Sequence, residues 1–101
     1  MDAPAAQSGA GREGLERAYV LPATDAERAV AEAWQEMLGV SPIGAEDDFF
    51  ELGGHSLLAT QVASRLRTRL AVEVPLRALL TTPTVRGWAA LFAATRDEVE
   101  L

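Results

Sequence analysis

The sequence predicts an all-α domain, a four-helix bundle of three main helices and one short one. Three observations carry that prediction. Apolar residues recur at steps of three and four in three separate stretches. Glycine and proline punctuate the gaps between them. No alternating stretch is long enough to build a sheet. A chain of 101 residues has room for one domain, and an apolar share of 49% suffices for its core.

Residues 1–20 read as a flexible linker, small and polar without periodicity, closed by Leu21-Pro22. Thr24-Asp25-Ala26-Glu27 then matches a capping box, a hydroxyl residue followed three places later by glutamate. Behind it Ala26, Ala29, Val30, Ala33, Trp34, Met37 and Leu38 form one stripe, with Arg28, Glu32, Gln35 and Glu36 opposite. Helix one is therefore expected over about 25–38. Gly39 stands where a left-handed cap belongs, and Pro42 blocks resumption.

A long connection follows, from Gly39 to His55, and loops of this length in small domains are often functional. Within it, Phe49-Phe50-Glu51-Leu52 is expected to make a single turn that pins the loop to the core. Helix two is expected over 56–70, with Ala59, Val62, Ala63, Leu66 and Leu70 inward. Arg65, Arg67 and Arg69 sit near its C-terminal end, where cations suit the helix dipole. Val72-Glu73-Val74 is strand-like but stops at Pro75, so a short helix over 76–80 is the better use of that apolar patch. Thr84 caps a last helix over about 85–95, with Val85, Trp88, Ala89, Leu91 and Phe92 inward. The domain is thus expected over 21–96, and 97–101 is read as a frayed tail.

Charge and composition exclude several functions. The formal charge of −6 argues against nucleic acid, which calls for a basic footprint. The charge is also polarised. Acids dominate from Glu13 to Glu51, whereas Leu52 to Arg96 holds one acid, Glu73, among its arginines. The absence of cysteine excludes disulfides, thiolate metal sites and a cysteine nucleophile. No run approaches the roughly 20 apolar residues of a membrane span, and the N-terminus has no apolar signal core. A cytoplasmic domain acting as a monomer is expected.

The segment richest in chemistry runs from Asp48 to Leu58, DFFELGGHSLL. It delivers Ser56 from a glycine-rich loop onto the first turn of helix two. Gly53 and Gly54 permit positive φ and leave the approach to the serine open. One reading makes Ser56 an ordinary N-cap, worth about 1 kcal/mol over alanine, in a small helical adaptor protein. Another uses the helix N-terminus as a favourable field for a phosphate esterified to Ser56. Leu57 falls on the polar side of helix two. It either faces outward as a docking residue or folds back on the Phe49-Phe50 loop.

Other constellations are weaker. His55 is the only histidine, and a serine hydrolase would also need an orienting carboxylate and an oxyanion site. The nucleophile-elbow pattern fails because position 58 is leucine. Glu46-Asp47-Asp48 lacks the alternating ligands of a calcium loop and reads as a solvated face. Trp34, Trp88 and Phe92 read as core. The arginines of helix two are expected to be screened by water.

The run Asp47–Ala59, DDFFELGGHSLLA, resembles the core motif of peptidyl carrier (thiolation) domains of nonribosomal peptide synthetases. The likeness extends to Tyr19–Thr24 with Glu27, which resembles the join between an adenylation domain and its carrier. It extends also to Val74-Pro75-Leu76 and Thr82-Pro83-Thr84-Val85, which resemble the family's third helix and the entry to its fourth. The resemblance implies a non-catalytic carrier. Ser56 would receive 4′-phosphopantetheine from coenzyme A through a phosphopantetheinyl transferase using Mg²⁺. Aminoacyl or peptidyl groups would then ride on the arm as thioesters. It further implies a face recognised by transferase, adenylation, condensation, thioesterase or tailoring enzymes, made of Asp48, Phe49, Gly54, His55, Leu57, Leu58, Leu76 and Leu79. Histidine rather than aspartate before the serine favours peptide synthesis over an acyl carrier of fatty-acid or polyketide synthesis.

Overall fold

The computed structural model describes residues 18–100; most of the expected linker therefore lies outside the described residues. Four helices are found there: α1 (Asp25–Leu38), α2 (Ser56–Leu70), α3 (Leu76–Thr81) and α4 (Val85–Glu100). The first three match the expected spans closely, and α4 continues past its expected end near residue 95. Helix α1 packs on both α2 and α4, and the short α3 joins α2 to α4. The all-α architecture expected from the apolar periodicity is the one observed.

The helix ends follow from local chemistry. Thr24 is the N-cap of α1, and its Oγ1 accepts from the Glu27 amide at 3.0 Å. The reciprocal half of the capping box is displaced by one residue, since Glu27 Oε1 accepts from the Ala23 amide at 2.7 Å. Gly39 ends the helix at φ 71°, in the left-handed region, and its amide donates to the Gln35 carbonyl. Thr84 Oγ1 accepts from the Gly87 amide at 3.0 Å, which caps α4 as expected.

The core is organised around aromatic rings. Trp34 of α1, Trp88 of α4 and Phe49 of the long loop are all fully buried. Trp34 meets Phe49 and Trp88 edge-on at centroid distances of 5.1 Å each, while Phe49 and Trp88 stack at 5.5 Å. The Trp88 indole N–H donates to the Leu79 carbonyl at 3.0 Å, tying α4 to α3. Ala59, Val62, Ala63 and Leu66 close the core from α2, and Val85 and Phe92 from α4. Val72 and Val74 are also buried, in a connecting segment that belongs to no helix or strand.

Two features of the surface differ from expectation. The buried face of α1 is wider than the predicted stripe, because Glu27 and Ala31 are buried as well. The arginines of α2 are not simply solvated. Arg65 pairs with Glu36 at 3.0 Å and Arg69 with Glu32 at 2.6 Å. Rising numbers on one helix meet falling numbers on the other, so α1 and α2 run antiparallel. Both pairs are about half exposed, so each contributes no more than about 1 kcal/mol.

Replacing Trp34 by alanine removes the ring that Phe49 and Trp88 both contact. A loss of about 3–5 kcal/mol is expected, measured by urea denaturation at constant slope.

Candidate functional site

The loop from Gly39 to His55 is held along its whole length. Ile43, Ala45, Phe49 and Leu52 turn inward and are buried, so the loop forms one wall of the core. The Ala45 amide donates to the Val20 carbonyl at 2.7 Å, which binds the chain just before α1 to the loop. On the other side the Phe49 amide donates to the Pro83 carbonyl at 2.7 Å, and Asp48 forms an isolated antiparallel bridge with Thr84. The Arg86 amide donates to the Ala45 carbonyl at 2.8 Å, and its guanidinium pairs with Glu46 and Glu27.

The acidic run is therefore not a solvated face. Each of its members has a separate structural task. Glu46 pairs with Arg86. Asp47 is buried and its Oδ2 accepts from the Gly44 amide at 2.8 Å. Asp48 Oδ1 accepts from the amides of Phe50 and Glu51 at 2.8 and 3.1 Å, an Asx turn that starts the reversal toward Ser56. Among the described residues no group of three His, Cys, Asp or Glu side chains is placed to hold a metal ion.

The two glycines before the site do different work. Gly53 has φ 102°, a conformation that favours glycine, with open space where a Cβ would lie. Gly54 lacks positive φ; a Cβ there would overlap the Phe49 ring. The aromatic core thus reaches the backbone two residues before Ser56.

Ser56 is the first residue of α2 and is exposed, and none of the described hydrogen bonds engages its hydroxyl. It is not the N-cap. That position belongs to His55, at φ −148° and ψ 174°, whose Nδ1 accepts from the Leu58 amide at 3.3 Å. The Ala59 amide donates to the His55 carbonyl at 2.8 Å. The amides of Ser56 and Leu57 enter no described hydrogen bond, so the positive end of the helix stays open beside the hydroxyl. With Nδ1 accepting from Leu58, His55 is not poised as a base for Ser56.

The residues expected to meet partners fall into two groups. Leu57 is 65% exposed, which excludes its folding back on the loop, and Phe50 of the loop is 41% exposed. His55 is exposed, and Asp48, Gly54, Leu58 and Leu76 are half-buried. Phe49 and Leu79, in contrast, are completely buried. Their role as direct partner contacts is corrected: apolar side chains drawn into the aromatic core cannot be touched from outside. Phe50, one residue from Phe49, is the aromatic that sequence reasoning left out. Its signal was the Phe49-Phe50 pair itself, since adjacent residues in a turn do not share one side.

A serine hydroxyl left open at a helix N-terminus, followed by an exposed leucine, is the arrangement of a carrier-type domain. Among the described residues no side chain is hydrogen-bonded to the hydroxyl. The site fits an esterified phosphate: the oxygen is unengaged, two first-turn amides are open beside it, and Gly53 adds no side chain.

Comparison with known proteins agrees. A family described as "phosphopantetheine attachment site" matches residues 28–92, and the chain belongs to that family. It is 50% identical over 78 residues to tyrocidine synthase 3 of Brevibacillus parabrevis, covering 77% of this chain and 1% of that protein. It is 40% identical over 86 residues to bacitracin synthase 3 of Bacillus licheniformis, covering 85% of this chain and 1% of that protein. The chain thus spans about 1% of the length of these curated relatives. Among solved structures, it matches a chain in the structure of the phosphopantetheine transferase Sfp in complex with coenzyme A and a peptidyl carrier protein. That match has a TM-score of 0.72 and 42% identity, over 75% of this chain and 99% of that one. A prototype peptidyl carrier domain of modular peptide synthetases matches with a TM-score of 0.67 and 44% identity, over 74% of this chain and 99% of that one.

Gly54→Ala places a methyl group against the Phe49 ring. It should cost about 1–3 kcal/mol, read from the shift in denaturation midpoint.

Proposed function

We propose that residues 21–96 form a peptidyl carrier domain of nonribosomal peptide synthesis, with Ser56 as the attachment point for 4′-phosphopantetheine. The observation that carries the assignment of Ser56 is its exposed, unengaged hydroxyl on the first residue of α2. In the loading step Ser56 Oγ forms a bond to the phosphorus of coenzyme A that bears the pantetheine. The pyrophosphate bond to the nucleotide breaks, adenosine 3′,5′-bisphosphate leaves with the electron pair, and the serine proton passes to a base of the transferase. The open amides of Ser56 and Leu57 favour the phosphodiester that results.

Once attached, the arm supplies a terminal thiol on which aminoacyl or peptidyl groups are held as thioesters. The cysteine-free chain has no thiol of its own. The domain is a carrier and a substrate, not a catalyst. Its contribution is tethering, which replaces diffusion between successive active sites by a high effective concentration. Leu57, next in sequence to the attachment point, and Phe50 of the loop supply exposed apolar area, and Leu58 and Leu76 are half-buried. Transferase, adenylation, condensation, thioesterase and tailoring enzymes are the partners this face serves. The domain works as a cytoplasmic monomer. No helix among the described residues is long and apolar enough to cross a membrane.

Incubation with coenzyme A, Mg²⁺ and a promiscuous phosphopantetheinyl transferase should add one phosphopantetheinyl group to the wild type and none to Ser56→Ala. Intact-protein mass spectrometry reads the result, and a folded wild type that stays unmodified overturns the assignment. Leu57→Glu should change stability by less than about 0.5 kcal/mol while lowering turnover by partner enzymes. Equal loss of both would show that Leu57 packs against the domain.

A further inference from the structure

We infer that His55 is a positioning residue for the loading of Ser56: by capping α2 itself, it keeps the serine hydroxyl from becoming the cap. The inference rests on the assignment of Ser56 as the attachment point.

A helix whose start lies at the surface gains from a side-chain acceptor for its first-turn amides. Serine ranks among the best such acceptors, and a serine at this junction would ordinarily be drawn into the role. Here the role is filled one residue earlier. His55 has the extended backbone of an N-cap, its Nδ1 accepts from the Leu58 amide at 3.3 Å, and its carbonyl accepts from the Ala59 amide at 2.8 Å. Ser56 is thereby held inside the helix as its first residue, where its own carbonyl accepts from the Thr60 hydroxyl at 3.0 Å. An accepting Nδ1 carries no proton, which places the ring N–H at Nε2. The cap thus needs one bare acceptor atom and no other property of imidazole.

Removal of the acceptor has a defined consequence. With alanine at position 55, Ser56 is the next residue able to cap. The helix start moves one place along, and Ser56 Oγ accepts from the Ala59 amide. A hydroxyl so engaged must leave its partner before it attacks phosphorus. Giving up one hydrogen bond of ordinary strength slows the step by about tenfold. Because serine is itself a good cap, the fold survives with little loss.

The test compares His55→Ala with His55→Asn and His55→Asp, two caps that share with histidine only the acceptor. Loading from coenzyme A by a phosphopantetheinyl transferase is followed at varied carrier concentration. His55→Ala should lower kcat by about tenfold with KM for the carrier unchanged, and both cap-competent variants should restore kcat to within about threefold. Equal loss in all three variants, or a rise in KM instead of a fall in kcat, would show that the transferase reads the imidazole itself and would overturn the inference. So would an alanine variant that loads at the wild-type rate. A second readout needs no loading: amide hydrogen exchange at Leu58 should accelerate about fivefold in His55→Ala and stay protected in His55→Asn. Unchanged exchange at Leu58 in the alanine variant also overturns it. A wild type that is never loaded refutes the assignment of Ser56 instead, while the exchange data still report on the cap.

Discussion

The arrangement of the site depends on one aromatic ring. Phe49 packs against both Trp34 of α1 and Trp88 of α4, which also touch each other, and by entering that cluster it converts a long connection into part of the core. Everything at the attachment point is referenced to it. Its amide is bonded to Pro83 at the entry to α4, and its ring closes the space beside Gly54. Asp48, next to it, starts the turn that leads to Ser56. A loop of this length without such an anchor would leave the start of α2 free to fray, and the serine would have no fixed setting.

Core and surface are divided sharply at neighbouring positions. Phe49 is buried and Phe50 exposed; His55 caps and Ser56 does not. This division suits a domain whose partners perform the chemistry. A nucleophile prepared by its own protein needs a base and an oxyanion site close by. Among the described residues no base is hydrogen-bonded to Ser56, because His55 Nδ1 is occupied by the Leu58 amide; what lies beside the hydroxyl is a pair of open amides. On the proposed carrier role, the same surface is offered in turn to enzymes that bring their own catalytic groups.

Much of this was legible before any coordinates. The Thr24 capping box, Gly39, Pro75 and Thr84 mark helix ends, because capping and backbone restrictions act within a few residues. The stripes through Trp34, Leu66 and Trp88 identify core faces, because the helical period places them together. Ser56 and Leu57 as surface residues were also within reach of the pattern. The site was read less well where a residue's part depends on the exact path of the loop and on what packs against it. Phe49 and Leu79 looked like partner contacts and are core. Glu46, Asp47 and Asp48 looked solvated, yet they bind Arg86, the Gly44 amide and the Phe50–Glu51 turn. Gly54 looked like a turn glycine and instead makes room for a ring.

The amino-acid sequence by itself determined the four helices of the described residues, their starts, the ends of the first three and the identity of the serine at the head of the second one. These are consequences of short-range periodicity and capping, which the chain carries locally. Only the tertiary structure decided which of two adjacent phenylalanines enters the core, which of two adjacent residues caps α2, and which acids are engaged. The burial of Phe49 and the pairing of Glu46 turn on groups far along the chain, Trp88, Pro83 and Arg86, whose approach exists only once the bundle has closed. The cap and the contacts of Asp47 and Asp48 are instead local geometry that residue type alone leaves open.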